Sequence, residues 1–229
     1  MPIYPSSNCA YASLVLVLFA PLTAQAGCLL TDLVKEGTSV AVIRSQTPHV
    51  YFRSDDQTQS GCPDKGTVCR SDSYVTSGDI VLTGPTYGAF TCTGYGGLRG
   101  SATIGWLPNA SLSPLPEAER VPSDWTGHWV GDQDIIISSG KDGGFWVKGT
   151  GTWGRDHVGK VSGEAQPVSN VLAFTMGDDR TMAYEDGDDL DCRIKMWRRG
   201  PYLLAQDNRQ CGGVNVSFSG FYRRMTSPH

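Results

Sequence analysis

Short runs of alternating apolar and polar residues, separated by Gly, Pro, Ser and Asp, fill most of this chain. From Ser39 to Ser45, Val40 and Val42 oppose Ala41 and Ile43, and from His49 to Arg53, Val50 and Phe52 share one face. Gly78–Thr83, Tyr87–Thr93 and Ser101–Leu107 repeat the pattern, each bounded by turn residues. A period of two broken by turns predicts antiparallel strands with one buried face. A second set follows at Asp134–Ser138, Gly144–Gly149, His157–Ser162, Val171–Met176, Cys192–Arg198, Tyr202–Gln206 and Val214–Tyr222. In the last of these Val214, Val216 and Phe218 point one way and Asn215, Ser217 and Ser219 the other. About eight strands in this second half are enough for a closed antiparallel barrel. The chain therefore predicts an all-β, disulfide-bonded fold, with a small N-terminal barrel followed by a C-terminal antiparallel β-barrel or sandwich.

Between the two sets, Ser113-Pro114-Leu115-Pro116 and the residues up to Pro122 hold three prolines and no apolar periodicity, which predicts a linker over 113–123. The expected organisation is 27–112 as one domain and 124–229 as another. Twenty-eight glycines and thirteen prolines suit tight turns and short strands and argue against long helices. The net charge of −4 excludes a general nucleic-acid binder, which would carry a basic surface.

Residues 1–26 change the picture again. They carry no charged side chain, hold an apolar run from Leu14 to Ala20 and end in Ala24-Gln25-Ala26. This predicts a secretory signal peptide, since the run is too short to span a bilayer. The expected product is periplasmic or secreted and has no transmembrane segment. A lipoprotein anchored at Cys28 is the alternative, but Gln25 interrupts the small or apolar stretch that lipidation requires. Removing residues 1–26 takes Cys9 and leaves Cys28, Cys62, Cys69, Cys92, Cys192 and Cys211. An even set in an exported chain predicts disulfides. Sequence allows fifteen pairings; the linker favours Cys192 with Cys211, Cys62 with Cys69 across one loop, and Cys28 with Cys92. No C-x-x-C spacing supports zinc or redox chemistry.

Ser77-Gly78-Asp79-Ile80-Val81-Leu82, Gly88-Ala89-Phe90-Thr91-Cys92 and Gly105-Trp106-Leu107-Pro108 with Leu112 beyond resemble a bacterial SH3-like domain over about residues 35–112. This chain departs from that pattern in its four cysteines and a long loop from Ser54 to Asp72. The resemblance implies a small barrel that binds a peptide or a protein surface, with cell-wall stem peptide (peptidoglycan) as one such ligand. In the second half, Gly127-His128-Trp129 and the late Arg223-Arg224 resemble the lipocalin-like (calycin) barrels, in which a first-strand Trp stacks under a last-strand Arg.

Candidate contact residues fall into two groups. Tyr87, Tyr95 and Trp106 in the first half and Trp146 and Trp153 in the second could line a ligand groove. Tyr95, flanked by Gly94, Gly96 and Gly97, is expected in a flexible, exposed loop, while Trp106 has core packing as its alternative. The other group is the acidic stretch Asp178-Asp179-Arg180 to Asp191, with seven acids against one base, containing Asp186, Asp188 and Asp189. The strand after it is basic, with Arg193, Lys195 and Arg199 on one face. The stretch reads as a solvated hairpin loop; calcium and a basic protein partner are its alternatives, and Leu190 breaks the spacing of a calcium loop. No cofactor is expected. The four histidines show no metal-ligand spacing, and Cys/His wall-peptidase chemistry needs a free thiolate that paired cysteines do not supply. The sequence thus points to a non-catalytic exported binding protein for a protein or peptide partner, in concrete form an inhibitor or immunity protein against a cell-wall or other secreted hydrolase. A carrier holding a small apolar ligand in the C-terminal barrel and a cell-wall peptide-binding module are the alternatives. An enzyme acting through His128, His157 or Asp134 is a third.

Overall fold

The computed structural model describes residues 27–97, 102–116, 123–177 and 180–225. The expected signal peptide lies outside them. The described residues are all-β, with a single four-residue α-helix among them, α1 (Leu30–Leu33). The first sheet holds β1 (Ser39–Ile43), β2 (Val50–Arg53), β3 (Arg70–Val75), β4 (Ile80–Tyr87), β5 (Phe90–Gly96), β6 (Ala102–Pro108) and β7 (Leu112–Pro114). Its order is β3-β2-β6-β5-β4-β1-β7. The inward residues of these strands, among them Ala41, Ile43, Val50, Phe52, Val75, Val81 and Leu107, form a small core. The loop expected from Ser54 to Asp72 is shorter than its sequence suggests. A 3-10 turn at Gly66–Cys69 ends it and β3 starts at Arg70.

The second sheet holds β8 (Gly127–Val130), β9 (Asp134–Ser139), β10 (Phe145–Trp153), β11 (His157–Ala165), β12 (Val171–Met176), β13 (Thr181–Met182), β14 (Cys192–Arg199), β15 (Tyr202–Asp207) and β16 (Gly220–Arg224). Its order, β11-β10-β9-β8-β16-β15-β14-β12-β13, places the first strand beside the last, so an up-and-down meander wraps into a nearly closed barrel. The seam lies between β11 and β12. There the Ser162 N–H meets only the Met176 Sδ, at 3.3 Å. The interior is filled by side chains: Trp129, Ile135, Ile137, Val147, Leu172, Phe174, Ile194, Met196, Leu203, Val216 and Phe218 are all buried together.

The expected last strand, Val214–Tyr222, is only partly a strand. β16 begins at Gly220; Val214 is exposed and Asn215 sits at φ 64°, which breaks the alternation. The segment from Asn208 to Ser219 instead folds in as a plug. Cys211 O accepts from Lys160 N–H at 3.0 Å and Gly213 N–H donates to Val158 O at 3.2 Å, so the plug covers part of the free edge of β11. Asp207 organises its far end, accepting from the Ser217 and Ser219 hydroxyls at 2.7 Å each and from the Phe218 N–H at 3.0 Å. Phe218 then fills space left by the inward glycines of β10. A Cβ on Gly149 would lie 2.9 Å from the Phe218 ring and 2.5 Å from Val161, closer than carbon atoms pack.

The Tyr222 hydroxyl donates to Phe218 O at 2.6 Å inside this core, and burial raises its pKa well above the usual 10. Tyr222→Phe is expected to lower stability at neutral pH by about 1 kcal/mol through the lost hydrogen bond. An acid whose folded pKa is raised contributes stability below its unfolded pKa and loses it as pH rises beyond that point. The gap between wild type and variant should therefore close above pH 10, by about 1.4 kcal/mol per pH unit. Urea titrations at neutral and alkaline pH read this directly, and a gap independent of pH contradicts it.

The two sheets share an apolar layer. Trp197, Tyr202, Leu204 and Phe221, on the outer face of β14–β16, pack against Leu33, Val34, Val40, Leu82, Trp106 and the Cys28–Cys92 pair. Tyr202 Oη donates to Ile80 O at 2.5 Å and Arg199 Nε to Thr38 O at 2.8 Å across the same boundary. The residues expected as a linker begin as part of this structure. β7 pairs with β1, and Leu115 is buried in the shared layer. Pro114 is tolerated because β7 is an edge strand, where a missing N–H leaves no ladder bond unmade. Residues 117–122 lie outside the described ones.

Candidate functional site

The six cysteines among the described residues are paired, Cys28–Cys92, Cys62–Cys69 and Cys192–Cys211, as expected from their positions along the chain. Bonds of this kind form and persist in oxidising compartments. Among the described residues no helix is long and apolar enough to cross a membrane. Nor are three His, Cys, Asp or Glu side chains grouped to hold a metal ion.

The aromatic candidates do not converge. Trp106 is 1% exposed and belongs to the shared layer, leaving Tyr87, 6.2 Å from it, as the exposed member of that pair. Tyr95 lies on β5 and is partly buried against the small core, its hydroxyl 3.2 Å from Asp79 Oδ1. The glycines beside it serve close packing rather than mobility: a Cβ on Gly94 would lie 2.9 Å from Leu33, and one on Gly96 3.2 Å from Arg223. Burial and the Asp79 carboxylate raise the Tyr95 pKa. Trp146 and Trp153 are exposed on β10, Trp146 beside the exposed Lys148, while Phe145 and Val147 turn inward.

The acidic loop folds back on the basic strand. Arg193 reaches the Gly187 carbonyl and lies 4.0 Å from Asp189 Oδ1; Lys195 lies 3.8 Å from Glu185 Oε1 and 3.9 Å from the Tyr184 ring centre. Asp186 and Asp188 remain on the surface of this loop. Ala173, Phe174, Met182, Tyr184 and Lys195 line an adjoining groove of about 640 Å³ at the seam. Elsewhere on the barrel, His128 Nε2 is 3.0 Å from Asp134 Oδ1 on an outer, partly exposed face.

At one end of the barrel two guanidiniums lie over the Trp129 ring, Arg198 at 4.2 Å and Arg224 at 4.8 Å from its centre. Arg198 is 4% exposed; its Nε donates to Asp124 O at 3.0 Å and its Nη1 to Tyr202 O at 2.5 Å. Burial lowers its pKa to about 10, which leaves it charged at neutral pH. Arg224 binds the Asp124 carboxylate at 2.6 Å, and that hydrogen bond holds the Asp124 pKa below its ordinary value. These groups close the barrel end and bind one another rather than facing an open cavity.

The larger open site is on the first sheet and was not among the candidates. A groove of about 920 Å³ is lined by Arg44, Ser45, Thr47, His49, Tyr51, Arg53, Arg70, Ser77 and Ser111, with no acidic side chain. It is built from the outward face of β2, where His49, Tyr51 and Arg53 alternate with the buried Val50 and Phe52. β3 supplies Tyr74 opposite Tyr51 and Arg70 opposite Arg53. Arg70 lies over the Tyr51 ring, 3.5 Å from its centre, and His49 packs on Tyr74 at 4.0 Å. The alternation of His49, Tyr51 and Arg53 was readable as a polar face. Its partner strand, β3, begins inside the segment assigned to a loop, Ser54 to Asp72, and runs beyond it to Val75.

Fold and site together define a class, a two-sheet all-β protein crosslinked by three disulfides. Beyond that class, the chain matches no protein-family model, no curated protein and no solved structure.

Proposed function

We propose that this is an exported, non-catalytic binding protein that recognises a protein or peptide partner, in its concrete form an inhibitor or immunity protein for a cell-wall or other secreted hydrolase. The observation that carries the reading is the open groove on the first sheet. It sits on a scaffold that three disulfides and a shared apolar layer hold in one shape. A preformed surface of this kind loses less free energy to ordering when it binds. The paired cysteines, and the uncharged residues 1–26 read as a leader, support export to the periplasm or medium. The seven-stranded antiparallel sheet of β1–β7, with its own small core, supports the SH3-like resemblance. Trp129 beneath Arg224, with β8 beside β16, supports the calycin-like one.

A carrier of an apolar ligand is not proposed, because Phe174, Val216, Phe218 and their neighbours occupy the barrel interior. The test is capture on the immobilised chain 27–229 from a periplasmic extract of the native host, followed by mass spectrometry and assay of the captured protein. We expect one enriched hydrolase whose activity falls in proportion to added chain. Recovery of no protein above background overturns the proposal.

A further inference from the structure

Arg53 and Arg70 occupy directly opposed positions on β2 and β3. Like charges facing each other across a strand pair destabilise a sheet; the compensating gain within the fold comes from the rings and carbonyls that the two side chains meet. It is not an internal ion pair. Among the described residues no carboxylate lies within 4.0 Å of Arg44, Arg53 or Arg70, although Asp72 is only two residues from Arg70 on the same strand. Overall composition does not explain the cluster either, since the chain as a whole carries −4.

The guanidiniums are also held in place. Arg70 lies over Tyr51, and Arg53 lies over Phe90 at 4.9 Å while its Nε donates to Pro63 O at 2.6 Å and its Nη2 to Gly66 O at 2.5 Å. The Cys62–Cys69 bond spans the loop that supplies both carbonyls. Arg44 also lines the groove, with its side chain exposed. A guanidinium fixed on an aromatic ring keeps its N–H edge for a planar, two-oxygen acceptor and loses little rotamer freedom on binding. The groove is too large for a single small anion, and His49 and Tyr51, packed edge to face, give it an aromatic wall for the main chain and aliphatic part of a ligand.

From this geometry we propose that the groove binds an extended acidic segment of the partner protein, its Asp or Glu carboxylates held by Arg44 and Arg70, with Arg53, whose Nε and Nη2 already donate to loop carbonyls, adding positive charge beside them. The inference rests on the protein-binding reading above and names the chemistry that reading leaves open.

The test is fluorescence anisotropy on the chain 27–229 with a labelled peptide of alternating Glu and Ser, and with the same peptide carrying Gln for Glu. The double variant Arg44→Glu/Arg70→Glu alters two exposed side chains and should keep the wild-type circular dichroism and melting temperature; Arg44→Gln is the milder control. The Glu peptide should bind about tenfold or more tightly than the Gln peptide, weaken with salt, and lose at least that factor in the double variant. Equal affinity for the two peptides, or binding untouched by the double variant, overturns the proposal. So does binding of heparin or inorganic phosphate without binding of the Glu peptide, which would assign the groove to an anionic glycan or a phosphate group. Capture from periplasmic extract separates the two readings. A partner retained equally by the double variant keeps the binding protein and removes the acidic groove. A Glu peptide that binds where no partner is captured does the reverse.

Discussion

Trp129→Ala is expected to lower the stability of the barrel by about 3–5 kcal/mol, enough to unfold many domains of this size. The indole is 0% exposed, and its Nε1 donates to Trp125 O at 3.0 Å. Removing it empties the barrel end and also takes the ring from beneath two guanidiniums, one of them buried. A buried cation that has lost its ring is a further penalty, of the order of 1–2 kcal/mol. Trp129→Phe keeps a ring under both cations and should recover much of the loss. Guanidinium-chloride titrations followed by circular dichroism check this. An alanine variant within about 1 kcal/mol of wild type would show that the Asp124 contacts of Arg198 and Arg224 close the barrel end without the ring.

Removing the disulfides one at a time should rank them by the length of chain each closes. The separations are 64 residues for Cys28–Cys92, 19 for Cys192–Cys211 and 7 for Cys62–Cys69. Loop entropy in the unfolded chain then assigns losses of about 4, 3 and 2 kcal/mol to the paired Ser replacements. Position strengthens the order. Cys28–Cys92 is buried in the layer shared by the sheets, whereas Cys62–Cys69 holds one loop. Denaturant midpoints under non-reducing conditions read the three losses. A largest loss at Cys62–Cys69 would contradict the ranking and show that the Arg53 contacts held by that loop matter more to stability than chain entropy does.

How much of this was legible in the sequence follows from which contacts are local. Strands with one buried face show their period of two, so β1, β2, β9, β10 and β12 lie close to where alternation put them. Cysteine spacing sufficed for the pairings because the linker region divides the cysteines four and two. Strands buried on both faces carry a different signal. Tyr202-Leu203-Leu204-Ala205 is apolar throughout because Leu203 and Ala205 fill the barrel while Tyr202 and Leu204 meet the first sheet. That run announced the shared layer, and alternation alone does not register it. Tyr95 was misplaced because Gly94 and Gly96 carry no label saying whether they supply mobility or room for a neighbouring ring. The groove escaped because it needs β3, whose Arg70-Ser71-Asp72-Ser73-Tyr74 has no aliphatic member before Val75 to mark a strand.

β16 pairs with β8 to wrap the barrel, follows the plug segment and contributes Phe221 to the layer between the sheets. On a ribosome this strand emerges after all the other described strands of both sheets. Until it does, β8 pairs only with β9 and keeps one edge open, and the N-terminal sheet lacks part of the cover over Leu33 and Leu82. Both halves must therefore wait for the same few residues, and the distance in sequence between those partners makes for slow acquisition of the native state, with apolar surface exposed to aggregation in the interval.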